Sequence, residues 1–350
     1  MEFKQAKIMV KNNFGEPRVS IHISENGDLL QEIKVTTFPI EQKIREVLKG
    51  EPMALYEAAA YLPLLGGKRM RPYLVIKTAG MFGGANESTY YAATAVELLH
   101  NFTLVHDDIM DKDTLRRGHP TTHVKFGETV AILAGDLLFS KAFECASKAE
   151  KLSGNKGIVE KLVEASIKID EGQYLDISFE SKSTISLEEY LRMISLKTAT
   201  LYEASAVIGA LTVTPINQES LICLANYGLN LGLAFQIRDD FLGVFGEQKM
   251  TGKPVGNDIK RGKKTAPILL ALQNSEKDSP LLKVLGKDNA SQNELDEAVS
   301  YMKKLNIHKT CEFLALNYAN KAIESLSKFD PSEAKSRLIE LANYAARRDW

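Results

Sequence analysis

The stretch Ala95-Val-Glu-Leu-Leu-His100-Asn-Phe102-Thr103-Leu-Val-His106-Asp107-Asp108-Ile-Met-Asp111-Lys-Asp113 decides the fold. Its apolar residues recur at helical spacing, and the run leads straight into the carboxylates of Asp107, Asp108, Asp111 and Asp113. On a helix Asp107 and Asp111 share a face, with roughly 6 Å between their β-carbons. His100 lies one heptad before Asp107, on nearly the same face. Like charges crowded this way repel unless something cationic offsets them. Hard oxygen ligands at this spacing suit Mg2+, which takes one or two carboxylates, several waters and the oxygens of a substrate phosphate. Asp113 falls beyond this face and is expected to be solvated. The plain alternative is an acidic helix end running into a solvated loop, and the rest of the chain decides between the two.

Upstream of this helix lies Leu64-Leu-Gly66-Gly67-Lys68-Arg69-Met70-Arg71-Pro72, where Pro72 suits the first turn of a helix and the paired glycines let backbone approach a ligand. Asn86 or Ser88 is placed to cap the helix that ends near Met110. From Pro39 onward the pattern is helical almost without interruption, with short helices over 40–48 and 53–62. Downstream, Arg116-Arg117-Gly118-His119-Pro120 reads as a loop, and further helices are expected from Thr121 or Thr122 to Ala149, then near 158–178, 186–212 and 216–246. A polar, glycine-rich loop follows over 251–264, then four or five amphipathic helices to Trp350. Strands do not alternate with helices after residue 40, which argues against an α/β sheet. The expected architecture is all-α: one large helical domain over 39–350. Residues 1–38 differ from it. Val19–Ser24 and Leu30–Thr36 alternate apolar and polar around Glu25-Asn26-Gly27-Asp28, so they predict a small β-hairpin extension.

The chain has 350 residues, 44% apolar and 25% charged, with a formal net charge of −1, so its overall charge gives no reason to expect nucleic-acid binding. Cys145, Cys223 and Cys311 are widely spaced, form no metal or disulfide pattern and suit a reducing cytoplasm. No apolar run is long enough to predict a membrane span, and no signal-peptide core is evident.

A second acidic pair, Asp239-Asp240, stands near the end of another long helix, and basic residues surround both pairs: Lys68, Arg69, Arg71, Arg116, Arg117, Lys197, Lys253 and Lys260 to Lys264. Carboxylate-held metals together with Lys and Arg are the equipment for a diphosphate. In this combination and order the chain resembles the trans-type isoprenyl diphosphate synthases, the polyprenyl synthetase family, and most closely the archaeal geranylgeranyl diphosphate synthases. Gly66–Pro72 resembles its GGKRxRP motif, Asp107–Asp111 with Arg116-Arg117-Gly118 its first aspartate-rich motif, and Lys197-Thr198 its KT pair. Gln236 with Asp239-Asp240 resembles the second aspartate motif, and Lys253 the lysine of a downstream TGK segment.

The resemblance implies Mg2+-dependent head-to-tail condensation of isopentenyl diphosphate with allylic diphosphates. It implies three Mg2+ ions, with Mn2+ an acceptable substitute, held by Asp107, Asp111 and Asp239, with Asp240 in support. Arg116, Lys197, Thr198, Gln236, Lys253 and Lys263 would face the allylic substrate, whereas Lys68, Arg71, His100 and Arg117 would bind the isopentenyl diphosphate. It also implies a homodimer or higher homo-oligomer. One departure stands out: Gly243 occupies the place where many relatives carry a third aspartate.

Bulky residues just before the first motif form a floor that limits chain growth in the family. Phe102 and Thr103 stand fifth and fourth before Asp107, which favours a twenty-carbon product, with farnesyl diphosphate or a mixture as the alternative. A terpene cyclase is disfavoured because Arg261 and Thr265 replace the Ser/Thr and Glu that its second motif needs after Asn257-Asp258. A non-catalytic partner subunit is disfavoured because both acidic pairs are kept.

Overall fold

The computed structural model describes residues 26–182, 184–213, 215–246, 256–287 and 289–348, and the described chain is helical almost throughout. The elements are α1 (Asn26–Val47), α2 (Met53–Leu64), α3 (Met70–Gly80), α4 (Glu87–Met110), the two-residue strands β1 (Leu115–Arg116) and β2 (His119–Pro120), α5 (Thr122–Phe126), α6 (Glu128–Ser153), α7 (Ile158–Glu180), α8 (Leu187–Ile194), α9 (Thr200–Leu211) and α10 (Gln218–Phe245). They continue as α11 (Asn257–Lys260), α12 (Ala266–Gln273), α13 (Pro280–Val284), α14 (Gln292–Lys304), α15 (Ile307–Ser325) and α16 (Glu333–Arg347).

The strand expected over 30–36 is a helix. Leu29, Ile33, Ile40, Ile44 and Leu48 are all buried, as is Thr37, and this spacing of three to four residues puts one face of α1 into the core. Helical periodicity over the longer window overrides the short alternation on which the strand rested. The expected domain boundary after residue 38 therefore falls inside α1, and Pro39 is accommodated within it. The other expected strand, 19–24, lies outside the described residues.

Helix α4 starts as its sequence predicts. The Asn86 side chain accepts from Thr89 N at 3.1 Å and Thr89 returns the bond to Asn86 N, a reciprocal cap. Ala92, Ala93, Val96, Leu98, Leu99 and Val105 bury its apolar face against α6, whose Ala131, Ala134, Leu138, Ala142 and Ala146 let the two helices come close. Helix α10 is long and apolar enough to cross a membrane by length and composition, which the sequence reading did not anticipate. It packs instead among α9, α15 and α16, with Leu224, Tyr227, Leu231 and Ile237 in their cores. Cys145 and Cys311 are buried and Cys223 is half-buried, all free thiols.

A buried ion pair ties the Gly66-Gly67 turn to α4. Arg69 takes a left-handed backbone conformation just before α3, and its guanidinium bonds Glu97 and the carbonyl of Pro63. Both side chains are almost wholly buried, and Asn101 also donates to Glu97 Oε1, at 3.0 Å. Removing one partner strands the other charge, so Glu97→Gln is expected to destabilise the fold by about 3–5 kcal/mol in denaturant melts.

Candidate active site

The C-terminal end of α4 carries the first acidic face. Asp111 N donates to Asp107 O at 2.8 Å, so helical geometry runs through both residues and sets their carboxylates on one side. Burial pushes Asp107 up to about 6, against the pull of Lys197 and Arg116 and with help from Asp111 and Asp176. No side-chain hydrogen bond holds Asp107 or Asp111 among the described residues. A half-buried carboxylate without a donor fits a cation. Asp108 points the other way, is buried, and accepts from Arg116 Nε at 2.6 Å. It thereby fixes Arg116 beside the acidic face.

Arg117 and Gly118 both have positive φ, 54° and 76°, and form the two-residue turn between β1 and β2. This is the backbone twist that short hairpins require, and glycine meets it at no steric cost. The turn throws Arg117 back under the Gly66-Gly67 loop, where it donates to Leu62 O at 3.0 Å and to Gly66 O.

Lys197 lies on a π-helical turn, Ser195–Ala199, between α8 and α9, the kind of helix irregularity often found at functional sites. Its Nζ donates to Asp176 Oδ2 at 2.6 Å. A β-carbon at Gly172 would collide with the Lys197 backbone, so this glycine lets α7 seat against the turn. The expected single helix over 186–212 is thus three pieces, and the break presents Lys197 to Asp107 and Asp111, whose charges, with that of Asp176, raise its pKa against the effect of burial.

On α10, Asp239 is exposed and bonds Arg348 Nη2 through Oδ1 at 2.7 Å. Arg348 itself is buried over the Phe235 ring. Asp240 faces inward. Its Oδ2 accepts from Tyr190 at 2.6 Å and its Oδ1 from Gln236 Nε2 at 2.8 Å, while Gln236 Oε1 accepts from Thr198 at 2.9 Å. Burial pushes Asp240 up to about 7. The chain Thr198–Gln236–Asp240–Tyr190 fixes the amide of Gln236, and with both oxygens occupied Asp240 supports the site from behind.

Basic side chains stand beside both faces, Arg116 in the field of Asp107 and Lys68 in that of Asp239. Arg71 lies over the Tyr202 ring with its Nη1 3.3 Å from His100 Nε2. Burial, then Arg71, Arg117, Arg116 and Arg69, push His100 well below its ordinary value, so at neutral pH the ring is uncharged. Burial likewise pushes Lys68 down to about 8, with Arg348 adding to the shift and Asp239 opposing it. Arg71, His100 and Arg117 are thus neighbours, whereas Lys68 stands within the fields of Arg348 and Asp239. Lys253 lies outside the described residues. Lys263 donates its backbone N–H to Asp258 O at 3.0 Å, and no described contact joins its side chain to the acidic faces.

Phe102 and Thr103 sit about one turn before Asp107 on α4. The Phe102 ring packs on His106 and on Phe139 of α6, with centroids 4.7 and 5.0 Å away, and Phe139 continues to Phe143 at 4.8 Å. Thr103 bonds the His100 carbonyl at 2.8 Å.

Sequence reasoning missed Asp176, Tyr190 and Arg348. The mid-helix Gly172, costing about 1 kcal/mol relative to Ala, was a usable sign of close approach beside Asp176. Asp113, expected to be solvated, instead bonds Arg261 at 2.9 Å across 148 residues of chain. Among the described residues no three His, Cys, Asp or Glu side chains converge into a closed metal cage. The donors stand as carboxylates on two helix ends, an arrangement that suits ions shared with a phosphate ligand better than an all-protein site.

A family model described as Polyprenyl synthetase matches residues 52–302. The chain is 42% identical over 314 residues to the geranylgeranyl diphosphate synthase of Saccharolobus solfataricus, covering 87% of this chain and 94% of that protein. Among solved structures, it resembles the geranylgeranyl pyrophosphate synthetase of Pyrococcus horikoshii with TM-score 0.84 and 41% identity, over 92% of this chain and 99% of that one. It also resembles a polyprenyl synthase of Caulobacter crescentus solved with calcium and isoprenyl diphosphate, with TM-score 0.84 and 31% identity, over 95% of this chain and all of that one.

Proposed function

Because the chain belongs to the polyprenyl synthetase family, we infer that it is a divalent-metal-dependent prenyltransferase that adds isopentenyl diphosphate head-to-tail to allylic diphosphates and makes geranylgeranyl diphosphate. The observation that supports this reading best is the facing of Asp107 and Asp111 by Lys197 and Arg116 at one helix end, with Asp239 bonded to Arg348 and within the field of Lys68 at the other. The acidic faces suit the allylic diphosphate, and the neighbouring Arg71, His100 and Arg117 suit the isopentenyl diphosphate.

Asp107, Asp111 and Asp239 would hold Mg2+, for which we propose three ions, and the metal would there offset the charge that builds on the leaving diphosphate. Arg116, fixed by Asp108, and Lys197, fixed by Asp176, present further cations to the same leaving group. Cleavage of the carbon–oxygen bond leaves an allylic cation. The Gln236 amide oxygen and Thr198 hydroxyl, held against each other, would offer it their lone pairs. Lys68, Arg71, Arg117 and the neutral His100 hold the isopentenyl diphosphate, so that its terminal double bond attacks the cation at C1. The proton then lost from C2 goes to the departed diphosphate, and no Ser-His-Asp or Cys-His group is required.

We place the product at twenty carbons because Phe102, backed by Phe139 and Phe143, blocks growth along α4. Phe102→Ala is expected to shift products to twenty-five carbons and longer, read by chromatography of the dephosphorylated alcohols; an unchanged profile would remove Phe102 from this role.

A homodimer is supported by α6 and α7, which expose Ile132, Leu133, Val163, Ile167, Tyr174 and Ile177. The four on α7 recur at helical spacing on the side opposite Asp176, a large apolar stripe for a monomer to leave in water. A cytoplasmic location accords with three free thiols. Incubation with Mg2+, isopentenyl diphosphate and each of dimethylallyl, geranyl and farnesyl diphosphate tests the function: all three primers should yield the twenty-carbon product, and no Mg2+-dependent product from any of them would refute it.

A further inference from the structure

His106 stands between the two functions of α4: it precedes Asp107 by one residue and follows Phe102 by one turn. Residues four apart share a helix face, so its imidazole and the Phe102 ring project together. Their centroids are 4.7 Å apart and their planes meet at 63°, an edge-to-face contact. Away from Phe102 the imidazole reaches α6, where Nε2 lies 3.2 Å from the Ile132 carbonyl. A carbonyl only accepts, so Nε2 is the donor.

This seat depends on Gly135. A β-carbon built there runs into Nε2 and Cδ2 of His106, so the imidazole lies directly on the α6 backbone. Glycine weakens a helix interior relative to alanine, and here its missing side chain makes the notch that takes the ring. Asp136 Oδ1 stands 3.9 Å from Nε2, and Asp170 of α7 is within the field of the imidazole, so the ring is lodged where α4, α6 and α7 meet. One turn after Gly135, Phe139 meets Phe102 at 5.0 Å. Phe102 is therefore gripped by two rings, His106 of its own helix and Phe139 of the next.

We propose that His106, seated in the Gly135 notch, is a positioning residue for product length: it holds the Phe102 ring across the path of the growing chain. This rests on the reading that Phe102 ends that path. A phenyl ring limits growth only while it stays in place, and a chain pressing on it acts to turn it about its side-chain bonds. Phe139 blocks one such turn and His106 the other. Without the imidazole, the notch over Gly135 is open space into which Phe102 turns, and the floor opens with residue 102 unchanged.

The test supplies the full chain with Mg2+, isopentenyl diphosphate and farnesyl diphosphate and measures the ratio of products longer than twenty carbons to the twenty-carbon product. This ratio does not depend on how fast a variant turns over. His106→Ala should raise it by about tenfold, the scale of losing one aromatic contact and one hydrogen bond. Gly135→Ala favours the helix but evicts the imidazole, so it should raise the ratio likewise and keeps the test decisive if His106→Ala folds poorly. In Phe102→Ala no ring is left to hold, so adding His106→Ala should change the ratio by less than about twofold.

Raised ratios in the single variants with no further gain in the double establish the role. A wild-type or lower ratio in either folded single variant, or a double variant that exceeds Phe102→Ala by more than that margin, overturns it. An unchanged ratio in Phe102→Ala itself would instead overturn the assignment of Phe102, and this proposal with it.

Discussion

Asp107→Asn is expected to lower kcat/KM for condensation by about three orders of magnitude while leaving the fold intact. The carboxylate is half-buried, faces Asp111 and Lys197, and is held by no described side-chain hydrogen bond, so its loss removes a metal ligand and little else. A single donor aimed at developing charge is worth about 10²–10³ in rate, and a divalent ion supplies more. Folding raises this carboxyl from its usual 3.8 to about 6, so the folded chain disfavours the ionised form. The unfolded chain ionises it first, and the resulting penalty begins above pH 4 and is complete above pH 6. Asparagine removes that penalty. Allowing for solvent screening, the variant should therefore be more stable at pH 7 by on the order of 1 kcal/mol, and no more stable than wild type at pH 3. Inactivity with preserved or raised stability, measured by denaturant melts at the two pH values, separates a metal ligand from a structural carboxylate.

Lys197→Ala is expected to lower kcat by about 10²–10³ with a smaller change in KM for isopentenyl diphosphate. Lys197 is the cation that the π turn aims at Asp107 and Asp111, and Asp176 holds it at 2.6 Å. Its removal leaves Asp107, Asp111 and Asp176 facing one another and strips the leaving diphosphate of a fixed positive charge. Arg71 and Arg117 keep their own contacts, which is why isopentenyl binding should be spared. Lys197→Arg should rescue poorly: the planar guanidinium has a different reach and a fixed donor geometry. Steady-state kinetics with each substrate varied separately reads the split.

Much of this was legible in the chain because its signals were local. The cap at Asn86, the apolar stripe of α4 and the spacing of Asp107 and Asp111 each follow from residues within a few turns of one another. Lys68, Arg71, His100 and Arg117 came as a set through resemblance, and the structure sets Arg71 against His100. A type I′ turn at Arg117-Gly118 folds one arginine under the glycine loop, and Arg69, caught by Glu97, anchors that loop to α4.

What was missed depended on distant partners. Alternation over Leu30–Thr36 suggested a strand, yet the core joined by Leu29 and Ile33 is built by residues far along the chain, including Leu338 and Leu341. The π turn at Lys197 requires Gly172 of α7 to let two backbones meet, and no spacing rule within 186–212 announces it. Asp113 looked like a solvated charge until Arg261 came to it from the other side of the site. Arg348 reaches Asp239 only because α16 returns against α3 and α10.

The most direct measurement of the central claim is the stoichiometry of diphosphate release from farnesyl diphosphate. With Mg2+ and isopentenyl diphosphate present, one diphosphate should appear for each isopentenyl unit incorporated, and both should stop when the metal is chelated. Diphosphate released without isopentenyl incorporation, or condensation that continues after the metal is removed, would contradict the account.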